Sequence, residues 1–307
     1  MADKQPYRIK TISEHNRILG LPKPEHPLIS VIHLDRIKQK PESNLITHMV
    51  FDFYVISIRH MSGIKYKYGQ QQYDFEDGVM FFLSPNQVFG IEVDENAIME
   101  NKGWSLLVHP DFLWNTSLAN KIKQYEFFDY SVNEALFLSD KEEILLDGIV
   151  NNIEQEYHSN IDKFSKSIII SHLENLLSYS ERFYNRQFIT REKANLQILE
   201  RLEQILLKYF NSDELIENGL PTVQYVADKL NISPKYLGSM LRVLTGQNAQ
   251  QHIHTMMIEK AKEKLSTTTL SVSEIAYQLG FEHPQSFSRL FKAKTNLSPL
   301  EFRAGFS

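Results

Sequence analysis

The sequence predicts an α+β fold: an N-terminal antiparallel β-barrel, helices following it, and an all-α end made of two similar units. Three observations carry this. Up to about residue 140 the chain holds short runs of β-branched and aromatic residues separated by turn-formers. From about Asp140 apolar residues return at helical spacing. Near the C-terminus the chain repeats itself, Ala227 and Leu230 recurring 49 residues later as Ala276 and Leu279.

In the strand region, Met49 to Ile58 (MVFDFYVISI) reads as a strand. Ile64, Tyr66 and Tyr68 alternate with Lys65 and Lys67, as one buried and one wet face require. Glu76-Asp77-Gly78, between YDF and VMFFL, is a connection of hairpin type, and Trp104 to Val108 is a further short strand. Ile144, Leu145, Ile149 and Ile153 then fall on one helix face, with similar stripes over Ile168 to Phe183 and Leu196 to Tyr209. Core packing explains such stripes, and one of them also suits a second copy of the chain. The polar segment Asn211 to Leu220, with its late glycine, is a boundary candidate.

A chain of 307 residues suits two domains, placed here at 1–190 and 191–307. With no cysteine there are no disulfides, thiolate metal sites or cysteine nucleophiles. No apolar stretch is long enough for a membrane span and Met1 to Lys10 is polar, so a cytoplasmic location is expected. The net charge of −5 conceals a division: Pro221 to Ser307 carries 10 Lys plus Arg against 6 Asp plus Glu. An acidic half joined to a basic half suggests that the C-terminal piece faces an anionic polymer.

Each repeat reads as helix, tight turn, helix. In the first, Val223, Val226, Ala227 and Leu230 form the apolar face, Asn231-Ile232-Ser233 the turn, and Pro234 opens the second helix with Ser233 as cap. In the second, Ser271 and Glu274 form a capping-box pattern, Gly280 permits the turn, and Pro284 opens the second helix. A small alanine in each copy lets the two helices approach closely, the geometry that projects a second helix into a major groove about 12 Å wide. Between the copies, Ile253, Met256, Met257, Ala261 and Leu265 form the stripe of a connecting helix, about His252 to Ser266.

The two second helices have distinct faces. Leu237, Met240, Leu241 and Leu244, matched by Phe287, Leu290 and Phe291, are expected in the core. That leaves Lys235, Gly238, Ser239 and Arg242 facing out in one helix and Gln285, Ser288, Arg289 and Lys292 in the other. Glutamine suits adenine and arginine guanine, while Arg242 and Lys292, a turn further on, suit phosphates.

The segments VQYVADKLNISPKYLGSMLRVLTG, EKAKEKL and SVSEIAYQLGFEHPQSFSRLFKAKTNLSPLEFR together resemble the AraC/XylS family of transcription regulators, over roughly Leu220 to Arg303. The resemblance implies a seven-helix DNA-binding domain with two helix-turn-helix units, about 220–246 and 270–303, joined to an effector-binding or dimerising domain with a cupin-like barrel. It places reading positions on Lys235, Gly238 and Ser239, and on Gln285, Ser286 and Arg289. Where relatives often carry a polar residue and then arginine, this chain has Gly238 and Ser239, so the second unit, or Lys235 and Arg242 on phosphates, is expected to carry more of the binding.

The partners this implies are double-stranded DNA, a small-molecule effector, a second copy of the chain and RNA polymerase, with no membrane and no cofactor. Tyr54, Tyr66, Phe81 and Trp104 are the candidates to line an effector pocket in the barrel mouth. A metal is not expected: His48, His60 and His109 stand alone in the sequence, and His252 and His254 point to different sides of one helix. No G-x-S-x-G, H-E-x-x-H, G-x-G-x-x-G or P-loop pattern occurs, which disfavours an enzyme on a cupin scaffold. The other alternative is an N-terminal domain that serves only for dimerisation or protein contact.

Overall fold

The computed structural model describes residues 6–37, 48–60, 66–68, 71–73, 78–90, 102–131, 134–159, 162–190 and 192–306. They divide into two compact units, Met1–Gln187 and Phe188–Ser307.

The strands of the first unit are β1 (Tyr7–Ile9), β2 (Ile29–His33), β3 (His48–Phe51), β4 (Tyr54–His60), β5 (Tyr66–Tyr68), β6 (Gln71–Tyr73), β7 (Val79–Leu83), β8 (Val88–Gly90), β9 (Lys102–Val108) and β10 (Leu136–Phe137). Five of them form an antiparallel sheet in the order β10-β7-β4-β9-β2. A second sheet runs β1-β3-β8, and β5 pairs with β6. Among the described residues the expected antiparallel barrel is not seen closed: the strands form separate sheets, and β1 joins β3 in parallel.

The run Met49 to Ile58 is two strands, because the chain bends at Asp52. There the Asp52 amide donates to Ile9 O and the Asp52 carboxylate pairs with Arg8 Nε at 2.7 Å, leaving β3 in one sheet and β4 in the other. Of the expected hairpin turn, Glu76 and Asp77 lie outside the described residues, as do Ile64 and Lys65.

Strand period two gives the five-stranded sheet two faces. Residues directly opposite one another share a face, so Val55, Ser57 and Arg59 go with Val79, Phe81 and Leu83. That face meets the β1-β3-β8 sheet around a core of Ile9, Ile12, Phe51, Phe53, Phe81, Phe89 and Leu107. The opposite face, with Tyr54, Ile56 and Ile58, meets helices. Those of this unit are α1 (Ile12–Ile18), α2 (Pro110–Leu113), α3 (Leu118–Lys121), α4 (Asp140–His158) and α5 (Ser165–Thr190), whose last three residues belong to the second unit. α4 is tied to the sheet by polar contacts: Trp104 Nε1 donates to Asp147 at 2.7 Å, Tyr157 Oη accepts the Val31 amide at 3.0 Å, and His33 and His60 pair with Glu154 and Glu143. The buried stripe of α4 is Leu146, Val150, Ile153 and Tyr157. Ile144, expected on that stripe, is 70% exposed, since Leu146 and Val150 at i+2 and i+6 take the inward side.

The second unit is helical: α6 (Glu192–Phe210), α7 (Glu214–Asn218), α8 (Val223–Leu230), α9 (Pro234–Thr245), α10 (Ala249–Thr267), α11 (Val272–Gln278), α12 (Pro284–Thr295) and α13 (Pro299–Ala304). The segment 211–220, read as a boundary, lies inside this unit and carries α7, whose Leu215 is buried.

One histidine of the first unit is enclosed by aromatic rings. His15 on α1 meets Phe51 and Phe53 edge-on, with ring centroids 5.8 and 6.0 Å apart, and its Nδ1 has no hydrogen-bond partner. Burial pushes its imidazole down to about 4, opposed by Asn16 and reinforced by the Arg59 charge. The unfolded chain therefore takes up a proton that the folded one refuses between the ordinary histidine value and about 4. The stability from a neutral His15 is whole above the unfolded value and is lost as the pH falls toward 4. Urea unfolding of wild type is expected to weaken by up to about 3 kcal/mol across that window from this group alone. The same titration on His15→Leu is expected to be flatter; an unchanged slope would contradict the assignment.

Candidate nucleic-acid interface

Each helical pair has a side-chain cap on its first helix, a left-handed residue in the turn and a proline opening its second helix. In the first, the Thr222 hydroxyl accepts the Tyr225 amide at 3.1 Å to start α8, and the chain leaves α8 through Asn231 in the left-handed region, φ 58°. Ser233 then caps α9 by accepting the Tyr236 amide at 3.1 Å, with Pro234 in the first turn. In the second pair, Ser271 and Glu274 form a reciprocal capping box on α11, and Gly280, φ 76°, makes the turn before Pro284 starts α12. Hydrogen bonding from Ser271 holds the exposed Glu274 carboxyl below its ordinary range.

The left-handed positions obey the repeat. Asn231 corresponds to Gly280, and Gly246 (φ 72°), which ends α9, corresponds to Asn296 (φ 63°), which ends α12. Asparagine and glycine are the residues that tolerate this conformation, and they exchange places between the copies. Val226, Ala227 and Leu230 are buried, as are Ile275, Ala276 and Leu279. Both alanines have no exposed surface, so each helix pair packs as closely as a methyl group permits. α10 begins with an Asn248–Gln251 capping box and packs against α9 and also against α11 and α12. Its 19 residues span about 28 Å.

Tyr236, Leu237, Met240 and Leu241 of α9 and Phe287 and Phe291 of α12 are buried. Leu244 and Leu290, expected in the core, are half-buried. Of the candidate contact residues, Lys235 and Arg242 are exposed on α9 and Ser239 is half-exposed. Gln285, Ser286, Arg289 and Lys292 are exposed on α12, with Ser288 half-exposed. Gly238 departs from the expectation that it faces out: it is buried. The cause is Arg242, whose Nε donates to Gly238 O at 3.2 Å, laying the side chain over the glycine.

Several basic residues of this unit are engaged in holding it together. Lys260 pairs with Glu263 and Lys262 with Glu259, Lys264 donates to Gln278, and Arg303 Nε donates to Leu265 O. On α12, by contrast, Gln285 and Arg289 make no side-chain hydrogen bond or ion pair among the described residues. Lys292 lies close enough to Glu301 to help hold its carboxyl down, after the Ser298 hydrogen bonds. Sequence reasoning passed over Lys294, exposed on α12, whose charge depresses His254 on α10 after burial has done so. The α12 surface is thus cationic with polar side chains beside it, which suits phosphates and base edges.

The four residues expected to line an effector pocket do not converge. Tyr54 meets Phe128 and Trp104 meets Asp147 on the helix-covered face of the sheet. Phe81 lies on the other face, stacked on Phe89 with centroids 5.9 Å apart. The side chain of Tyr66 lies outside the described residues. The register explains the split: Phe81 is opposite Ser57, whereas Trp104 is opposite Ile58, one residue further along β4.

A family model described as a helix-turn-helix domain matches residues 226–305. The chain is 36% identical over 94 residues to the uncharacterized transcriptional regulatory protein YesN of Bacillus subtilis, covering 30% of this chain and 26% of that one. It is 35% identical over 80 residues to the transcriptional activator RhaS of Escherichia coli, covering 26% and 29%. Histidine kinase P4 of Formosa agariphila is 26% identical over 139 residues, which is 44% of this chain and 10% of that protein. The chain therefore spans between a tenth and three tenths of the length of these curated relatives.

The turn of the second pair is wedged from outside. A Cβ on Gly280 would stand 2.4 Å from Leu215 O and 2.7 Å from Gly219 Cα, whereas one on Gly246 would meet nothing within 4 Å. Both glycines have positive φ, so alanine at either incurs the conformational cost, and only Gly280→Ala must also move backbone. Gly246→Ala is expected to lower stability by about 1 kcal/mol and Gly280→Ala by distinctly more, about 2–4 kcal/mol. Equal losses in urea unfolding would contradict the wedge.

Proposed function

Because residues 226–305 are a helix-turn-helix domain of the AraC family, we propose that the whole protein is a sequence-specific, DNA-binding transcription regulator. The observation that carries the proposal is α12, which holds Phe287 and Phe291 inward and presents Gln285, Ser286, Arg289 and Lys292 outward on one helix. A helix with an apolar back and a mixed cationic and amide front is what a major groove accepts. In this reading Arg289 pairs with guanine, Gln285 with adenine, and Ser286 and Ser288 make shorter contacts beside them. Lys292 and Lys235 sit on phosphates and fix the register.

The same reading gives the chain no catalytic step and no cofactor. The histidine kinase in the comparison is a protein of which this chain covers 10%, so its name does not bring an enzyme with it. A reader of chromosomal DNA works where the chromosome is, which supports a cytoplasmic location. Among the described residues no helix is long and apolar enough to cross a membrane. We extend the proposal to a homodimer, on the general ground that two-fold sites are read by paired copies. The first unit is then the regulatory half, taking a small effector or holding the second copy. One cavity among its described residues, about 160 Å³ between His26, Phe112, Tyr157 and Lys166, is below the roughly 300–1,000 Å³ of most ligand pockets. RNA polymerase is the protein such a regulator would address.

Binding of the full chain to a random pool of duplexes is expected to weaken steeply as salt rises from about 50 to 200 mM, with repeated selection converging on a motif. On that motif Arg289→Ala is expected to lower affinity by about ten- to a hundredfold with little change on scrambled duplex, and Lys292→Ala to weaken both alike. No salt-sensitive affinity for any duplex would overturn the proposal.

A further inference from the structure

We propose that Arg242 of α9, not a residue at position 238 or 239, is the base-reading side chain of the first helical pair. The inference rests on the DNA-binding reading above and deepens it.

Glycine is, after proline, the residue least suited to a helix interior, yet Gly238 sits in the second turn of α9. It is also buried, on the side of the helix where its neighbours Lys235 and Arg242 are exposed. A side chain on a helix leans toward the N-terminus and covers the turn before its own, which here is the turn of residue 238. Arg242 does this fully. Its Nε donates to Gly238 O at 3.2 Å, and a terminal nitrogen of its guanidinium stands 3.6 Å from where a Cβ on residue 238 would be. The space that a reading side chain at 238 would occupy is filled by a guanidinium rooted one turn later.

Two consequences separate this from a phosphate contact. The guanidinium is drawn toward the N-terminal part of α9, the end of a reading helix that meets base edges. Its Nε is held by backbone, so the planar head is oriented, and an oriented planar fork matches the paired acceptors O6 and N7 of guanine. Ser239, half-exposed with a short side chain, cannot reach as far. The 3.6 Å distance also states what position 238 tolerates: a methyl group makes ordinary contact with the guanidinium, whereas a longer side chain takes its place.

The test uses full-length protein and the duplex motif that wild type selects from a random pool. Arg242→Ala is expected to lose one guanine preference from the selected motif. Its affinity for the wild-type motif is expected to fall about ten- to a hundredfold, with less than about a threefold change on scrambled duplex. Gly238→Ala is expected to keep the preference, and Gly238→Leu, which displaces the guanidinium, to lose it. Circular dichroism on each variant separates a folding defect from a contact defect, and Gly238→Ala keeps the proposal testable if Gly238→Leu fails to fold. An equal loss on motif and scrambled duplex, or no loss on either, overturns the proposal while leaving DNA binding intact. If wild type itself binds no duplex, the DNA-binding reading fails instead.

Discussion

The second unit depends on how closely two short helices can be brought together across a connection of three residues in one pair and five in the other. Ala227 and Ala276 set that distance by having nothing beyond Cβ and no exposed surface. Asn231 and Gly280 make it reachable by adopting positive φ where most side chains are strained. With the closeness fixed, only one side of α9 or α12 can face inward, and the polar remainder of each helix must face out. The outward-facing groups of α9 and α12 thus follow from the packing of two methyl groups.

The two copies meet the same constraint with different support. Asn231 lies exposed at the surface of the first pair. Gly280 is pressed by Leu215 O and the Gly219 backbone, so α7 braces the second turn from outside. A turn held by backbone on both sides has fewer ways to open than one held by its own cap, which suits α12 to a defined geometry.

Much of this second unit is legible in the sequence because its signals are local and repeated. An offset of 49 names Ala276 once Ala227 is noticed, and Ser271 with Glu274, Ser233 with Pro234, and Gly280 each declare a helix end within four residues. Gly238 was not legible, because a periodicity argument places side chains and glycine has none; its burial is Arg242's doing, four residues away. The segment 211–220 reads as a linker since its polar composition does not show that Leu215 and Gly219 are needed by Gly280. In the first unit the difficulty is register. Tyr54, Phe81 and Trp104 are all aromatic strand residues, and only the pairing Ser57 with Phe81 and Ile58 with Trp104 assigns them to opposite faces. A single-residue slip would have united them, and composition carries no information about slips.

Charge has to be read through structure in the same way. The excess of four positive charges after Pro221 is not spread over a surface, since Lys260, Lys262, Lys264 and Arg303 are spent on α10 and its neighbours. What faces outward is concentrated on α9 and α12, and there the two differ in their freedom. Ordering a long polar side chain at an interface costs about 0.5–1.5 kcal/mol. On the proposed reading, Arg289 and Gln285, with no partner among the described residues, would incur that cost on binding. Arg242, already laid along its own helix, has met part of it on folding. An interface with one preordered head and one adjustable head gains a fixed register from the first and tolerance of neighbouring sequence from the second. That division of labour needs no difference in fold between the copies, only a glycine at one position where the other copy has Ser288.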